Sequence, residues 1–111
     1  MFQYDIYQVD LNPTKWHVQS GHRPCVIIQG DIFNAHSPTI IVVPLTSVFK
    51  NPFPSEFFIE PSATNGLSDT SRFLGNQIIT VDKKYLGKKV GKLESEYHPL
   101  IEEAIRTVLW F

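Results

Sequence analysis

Apolar residues fall in short runs separated by Pro, Gly, Asn and Ser, and six of these runs read as strands: about Tyr4–Val9, Pro24–Gln29, Thr39–Leu45, Glu56–Glu60, Arg72–Val81 and Lys89–Leu93. They either alternate apolar with polar positions or are continuously apolar and rich in β-branched residues, as a pleated surface with one or two buried faces requires. Their connections are short, whereas a parallel sheet needs crossover helices. The pattern therefore predicts an antiparallel sheet, bent into a small barrel.

The period changes at the end of the chain. Leu100, Ile101, Ala104, Ile105, Val108 and Leu109 recur at helical spacing, with Glu102, Glu103 and Arg106 on the other side. Ser95 is the expected N-cap, Glu96 suits the first turn, and Pro99 falls early enough to be tolerated. The expected class is mainly β with one C-terminal helix laid against the sheet. Without repeats or a linker, residues 1–111 read as a single domain.

Two long loops remain, and loops carried on a rigid sheet are where binding concentrates. Leu11–His22 is polar, is punctuated by Pro13 and Gly21, and carries Lys15, Trp16, His17 and Gln19; Val48–Ser55 holds two prolines and two phenylalanines. Asn65-Gly66 reads as a turn between strands.

A length of 111 residues suffices to bury a core, and with 42% apolar and 19% charged residues the composition is that of a globular domain. No apolar run reaches the roughly 18 residues of a membrane span, and Met1-Phe2-Gln3-Tyr4-Asp5 lacks the pattern of a secretory signal. The expectation is a cytoplasmic protein without membrane contact. The single cysteine, Cys25, heads an apolar strand and reads as a buried, inert thiol.

The net charge of −1 gives no global attraction to nucleic acid. Lys83, Lys84, Lys88, Lys89 and Lys92 nevertheless make up half of the ten basic residues, and no acid interrupts them. They form either a solvated turn or a patch that steers an RNA backbone.

The most informative segment is Gly21-His22-Arg23-Pro24, which runs into the strand Cys25-Val26-Ile27-Ile28-Gln29 and is answered by Val43-Pro44-Leu45-Thr46-Ser47. Two strand ends thus deliver a guanidinium and two hydroxyls. Arg23 offers a planar fork of donors that fits phosphate oxygens, and Thr46 and Ser47 can bond the same group. His17 and His22 are of the residue type that exchanges protons near neutral pH, although each also reads as an ordinary loop histidine. No cysteine or carboxylate at ligand spacing joins them, so no metal and no cofactor is expected. Trp16, Phe49, Phe53 and Gln77 read either as core and contact residues or as platforms for unstacked bases.

These residues resemble the MazF/PemK/Kid toxin endoribonucleases of type II toxin–antitoxin systems. The likeness covers nearly the whole chain: Val9-Asp10-Leu11-Asn12-Pro13, Gln19-Ser20-Gly21-His22-Arg23-Pro24, Asp31-Ile32-Phe33-Asn34, Pro38-Thr39, Val42-Val43-Pro44-Leu45-Thr46-Ser47, Gly66-Leu67, Gln77-Ile78-Ile79-Thr80-Val81-Asp82-Lys83 and Gly91-Lys92-Leu93. Their order and spacing are specific. The resemblance implies an SH3-like barrel of the CcdB/PemK type with a terminal helix, working as a homodimer. It implies metal-independent, sequence-specific cleavage of single-stranded mRNA, silencing by a cognate antitoxin that also covers the first loop, and contact with DNA only through the toxin–antitoxin complex.

In that chemistry the ribose 2′-hydroxyl attacks the adjacent phosphorus, leaving a 2′,3′-cyclic phosphate and a 5′-hydroxyl. A base, an acid and a stabiliser of the phosphorane are required. Arg23 suits the third role and Thr46 matches the family's catalytic threonine. His17 matches a histidine of plasmid-encoded relatives, with His22 beside the clamp. Gln19, Ser47, Asn76 and Gln77 are the expected RNA-binding residues. The sequence departs from the family at Val18, where many relatives carry Glu, and at Leu74 and Asn76, where some carry an arginine and an aspartate. Proton transfer then falls to Arg23, His17 or His22.

Two other classes compete. CcdB-like gyrase poisons share the fold and also end in a helix with terminal aromatics, much like Leu109-Trp110-Phe111, but have no need of a phosphate clamp at Arg23. A non-catalytic SH3-like interaction module is the third reading.

Overall fold

The computed structural model describes residues 1–12, 21–48 and 50–111. Among the described residues seven strands and two α-helices follow one another as β1 (Asp5–Asp10), β2 (His22–Ile27), α1 (Asp31–His36), β3 (Thr39–Thr46), β4 (Glu56–Ile59), β5 (Ser71–Leu74), β6 (Ile79–Asp82), β7 (Leu86–Lys92) and α2 (His98–Leu109). All pairings are antiparallel, in the order β4-β5-β3-β2-β1-β7, with β6 also beside β3. The class is as expected, but no pairing among the described residues closes the sheet, so its form is open rather than a sealed barrel.

β3 is the axis of this arrangement. One edge pairs with β2, while the other is shared by β6 along Thr39–Val42 and by β5 along Leu45–Thr46. The expected single strand over Arg72–Val81 is therefore two. It breaks at Gly75, whose N–H donates to Ser55 O at 3.1 Å. A Cβ at Gly75 would come within 2.0 Å of that same oxygen, so only glycine permits the approach.

Core packs against both faces of β2 and β3. One cluster joins Ile6, Val26, Val43, Leu45, Ile59, Phe73 and Leu93 to Ile101 and Ala104 of α2; the other joins Val9, Leu11, Cys25, Ile27, Ile40, Val42 and Val81. Cys25, Val26 and Ile27 are fully buried in sequence because alternate side chains enter alternate cores. Each such apolar side chain contributes about 1.5–3 kcal/mol.

α2 docks through Ile101 and Ala104, helped by Tyr4 stacked on His98 with ring centroids 3.8 Å apart. Its start differs from expectation. Ser95 opens a short 3-10 turn over Ser95–Tyr97, and the cap position of α2 is Tyr97, without a side-chain cap bond. Pro99 lies in the first turn, where its missing N–H is harmless. Leu109, Trp110 and Phe111 are exposed at the far end. α1 was not foreseen, because six residues are too few for a helical period to show; Asn34 anchors it by donating to Gln29 O at 2.8 Å.

The lysine-rich segment forms the edge strand β7 and the turn before it. Lys83 donates to Asn34 O, Lys89 Nζ lies 3.5 Å from Asp5 Oδ2, and Lys84 sits over the Tyr85 ring. Lysines along an exposed strand edge discourage edge-to-edge pairing, which favours the solvated reading.

Candidate active site

β2 and β3 bring the phosphate-binding candidates together. Their register pairs Cys25 with Pro44, and Arg23 and Thr46, two residues further along the two strands, both line one cavity. On the other side of β3, Thr46 pairs with Arg72 of β5. Directly opposed residues share a face of an antiparallel sheet, so Thr46 and Arg72 form one cross-strand pair. Arg72 was missed by sequence reasoning. It reads there as an ordinary strand position, and its place depends on how β5 packs.

At this end of the sheet lies a cavity of about 200 Å³, with His22, Arg23, Thr46, Ser47, Asp69 and Ser71 among its lining. Gly21 leads into it at φ +81°, a left-handed conformation that suits glycine, and its carbonyl accepts from Leu11 N–H at 2.9 Å. That bond ties together the two ends of the first loop. His22 begins β2 and is exposed, Arg23 is half-buried, and Thr46 is buried at 4% exposure.

Thr46 Oγ1 accepts from Val48 N–H at 3.2 Å, a local turn contact of the kind short hydroxyl residues make. The bond occupies an acceptor position and leaves the hydroxyl proton to be donated elsewhere. Arg72 is 7% exposed; its Nη1 donates to Val48 O at 3.0 Å, and its Nε lies 3.2 Å from Glu56 Oε1. Among the described residues that Nε–H has no aligned acceptor, and the contact with Glu56 is one of charge.

Cys25, two residues beyond Arg23, is fully buried. Burial pushes its thiol up to about 12, and the Arg23 charge pulls it down by less. An un-ionised thiol is no nucleophile, which agrees with the inert reading.

Asn76, Gln77 and Phe53 are placed away from the cavity. Asn76 and Gln77 lie in the turn between β5 and β6, with Gln77 N–H donating to Leu74 O at 2.8 Å, and neither is among the residues lining the cavity. His17 and Gln19, with Lys15, Trp16, Val18 and Phe49, lie outside the described residues. Phe53 is exposed on the β3–β4 connection.

A family model described as "PemK-like, MazF-like toxin of type II toxin-antitoxin system" matches residues 2–109. The chain is 36% identical over 106 residues to Endoribonuclease EndoA of Bacillus subtilis, covering 95% of this chain and 90% of that protein. The fold is similar to MazF from Deinococcus radiodurans, with TM-score 0.85 at 17% identity over 100% of this chain and 97% of that one. It is also similar to a mycobacterial endoribonuclease solved in complex with its cognate antitoxin, with TM-score 0.83 at 22% identity over 100% and 96% of the two chains. With nearly its whole length matched, the chain belongs to the PemK-like, MazF-like toxins of type II toxin–antitoxin systems.

Proposed function

We propose that this toxin, an endoribonuclease, cuts single-stranded mRNA at specific sequences by in-line attack of the ribose 2′-hydroxyl. The products are a 2′,3′-cyclic phosphate and a 5′-hydroxyl. The cavity that Arg23, Thr46 and Ser47 line together at the ends of β2 and β3 carries this reading.

Arg23 holds the non-bridging phosphate oxygens through its guanidinium fork, and its charge offsets the negative charge that grows on the phosphorane. The free Thr46 O–H donates to the same phosphate. His22, at the cavity mouth, and His17 are the proton carriers to be tested, one drawing the 2′ proton and the other returning a proton to the leaving 5′ oxygen. Ser47, Gln19, Asn76 and Gln77 contact the RNA on either side of the cut. No step calls for a metal. The 36% identity to a named endoribonuclease favours this chemistry over a gyrase poison or a passive module.

The toxin works in the cytoplasm as a homodimer held in check by a cognate antitoxin. The exposed apolar end formed by Leu109, Trp110 and Phe111 supports partners that cover it.

The experiment is incubation of the purified protein with a long RNA in EDTA, followed by mapping of the fragment ends. Discrete cuts bearing 5′-hydroxyls are expected. Fragments with 5′-phosphates, or loss of cutting on chelation, would replace this chemistry with a metal-dependent one.

A further inference from the structure

The buried pair Arg72–Glu56 takes no part in the steps above. Charges removed from water are expensive to keep, and two apolar side chains of similar volume would pack as well or better. What such a pair could not do is hold the backbone. Arg72 Nη1 donates to Val48 O at 3.0 Å, Arg72 Nε lies 3.2 Å from Glu56 Oε1, and that same carboxylate oxygen accepts from Phe53 N–H at 3.2 Å. One ion pair thereby grips the β3–β4 connection at both ends.

The grip continues to Thr46. Val48, held at its carbonyl by Arg72, donates its N–H to Thr46 Oγ1 at 3.2 Å, and Arg72 stands directly opposite Thr46 in the sheet. A hydroxyl whose oxygen is held by a fixed N–H has fewer directions left for its own proton. We propose that the Arg72–Glu56 pair is a positioning device that, through Val48, aims the Thr46 hydroxyl at the scissile phosphate. This inference rests on the reading of Thr46 as a phosphate donor. Arg72 is not among the residues lining the cavity, and it acts by keeping Thr46 in place beside Arg23 there.

The test compares wild type, Thr46→Val, the double replacement Arg72→Met with Glu56→Leu, and all three changes together. The substrate is a fluorogenic RNA copied from a mapped wild-type cut site. Because the apolar pair removes both charges at once, the double variant is expected to melt at or above the wild-type temperature. Its kcat should fall about tenfold with KM nearly unchanged, since orientation rather than binding is lost. Adding Thr46→Val should lower kcat no further than Thr46→Val alone, because both changes disable one donor.

A well-folded double variant with wild-type kcat would overturn the proposal, and so would losses that simply multiply. If the apolar pair fails to fold, Arg72→Lys decides: it keeps a charge facing Glu56 but lacks the fork that also reaches Val48, so the same fall in kcat is expected and a normal kcat overturns the idea. Full activity in Thr46→Val would remove the Thr46 reading and this inference while leaving the nuclease in place. Wild-type protein that leaves RNA intact would overturn the functional reading itself.

Discussion

Two buried polar clusters flank β4 and β5, and they are built on opposite terms. In the first, Asn65 is fully buried with every amide position used: Oδ1 accepts from Ser62 N–H and Leu67 N–H, each at 3.0 Å, while Nδ2 donates to Glu60 O at 2.8 Å and Glu94 Oε1 at 3.1 Å. Ser62 Oγ completes it by donating to Glu94 Oε2 at 3.0 Å. In the second, Arg72 carries a full charge into the interior, and among the described residues its Nε–H finds no aligned acceptor. A cluster that only ties the chain together is best when saturated, because each unmet buried group costs about 1–3 kcal/mol. The incompletely matched cluster adjoins Thr46, where fixed geometry matters more than the last increment of stability.

The sharpest way to break this contrast is at Arg23, on the side of the proposed active site. Arg23→Ala should lower RNA cleavage at least a hundredfold, as removal of a donor to a developing anion does, while circular dichroism and the melting temperature stay at wild-type values. Arg23 belongs to neither core cluster, so its loss should appear in turnover rather than in the fold. Cleavage within tenfold of wild type in a folded Arg23→Ala protein would take the clamp away from Arg23.

Asn65 is the opposite case. Asn65→Ala strips partners from two amide N–H groups and one carbonyl in a buried loop, and should destabilise the fold by about 2 kcal/mol. In a chain of this length that shifts the melting temperature by about 10 °C. Cleavage per folded molecule should be unchanged, since Asn65 is absent from the lining of the cavity around Arg23. Were Asn65→Ala to leave stability intact but depress turnover, the division between scaffold and site would be wrong.

The same contrast explains what could be read from residues alone. Arg23 and Thr46 were legible because each sits at the end of a short apolar run with a turn signal beside it, so local pattern fixes both the strand and its end. Cys25 was legible for the same reason, as part of a run buried on both faces. Arg72 was not. Its partners are Glu56 across a strand pair and Val48 two residues past the end of β3, contacts that no periodicity encodes. The break at Gly75 was hidden because β5 and β6 are both apolar, and only the close approach of Ser55 O separates them. The start of α2 was misjudged at Ser95 because a 3-10 turn over Ser95–Tyr97 satisfies the backbone before the α-helix begins.

The smallest effect on catalysis is expected at Cys25, although it shares a strand face with Arg23 and lies only two residues away. Its thiol is raised to about 12 by burial, so the folded protein keeps the proton where the unfolded chain, near 9, has lost it. The sign follows from proton linkage. Below about pH 9 the contribution of the buried thiol is fully present, and as pH rises from there toward 12 the unfolded state binds fewer protons and stability falls, by up to about 1.4 kcal/mol per pH unit from this one group. Tyrosines and lysines titrate over the same range, so the informative quantity is a difference: urea midpoints of wild type and Cys25→Ala at a mildly and a strongly alkaline pH. Wild type should lose more stability across that interval than Cys25→Ala, native Cys25 should resist alkylation until the protein is unfolded, and cleavage by Cys25→Ala should match wild type. Rapid alkylation of the folded protein, or a fall in turnover on removing the thiol, would mean that the Arg23 end of β2 opens more readily than its burial implies.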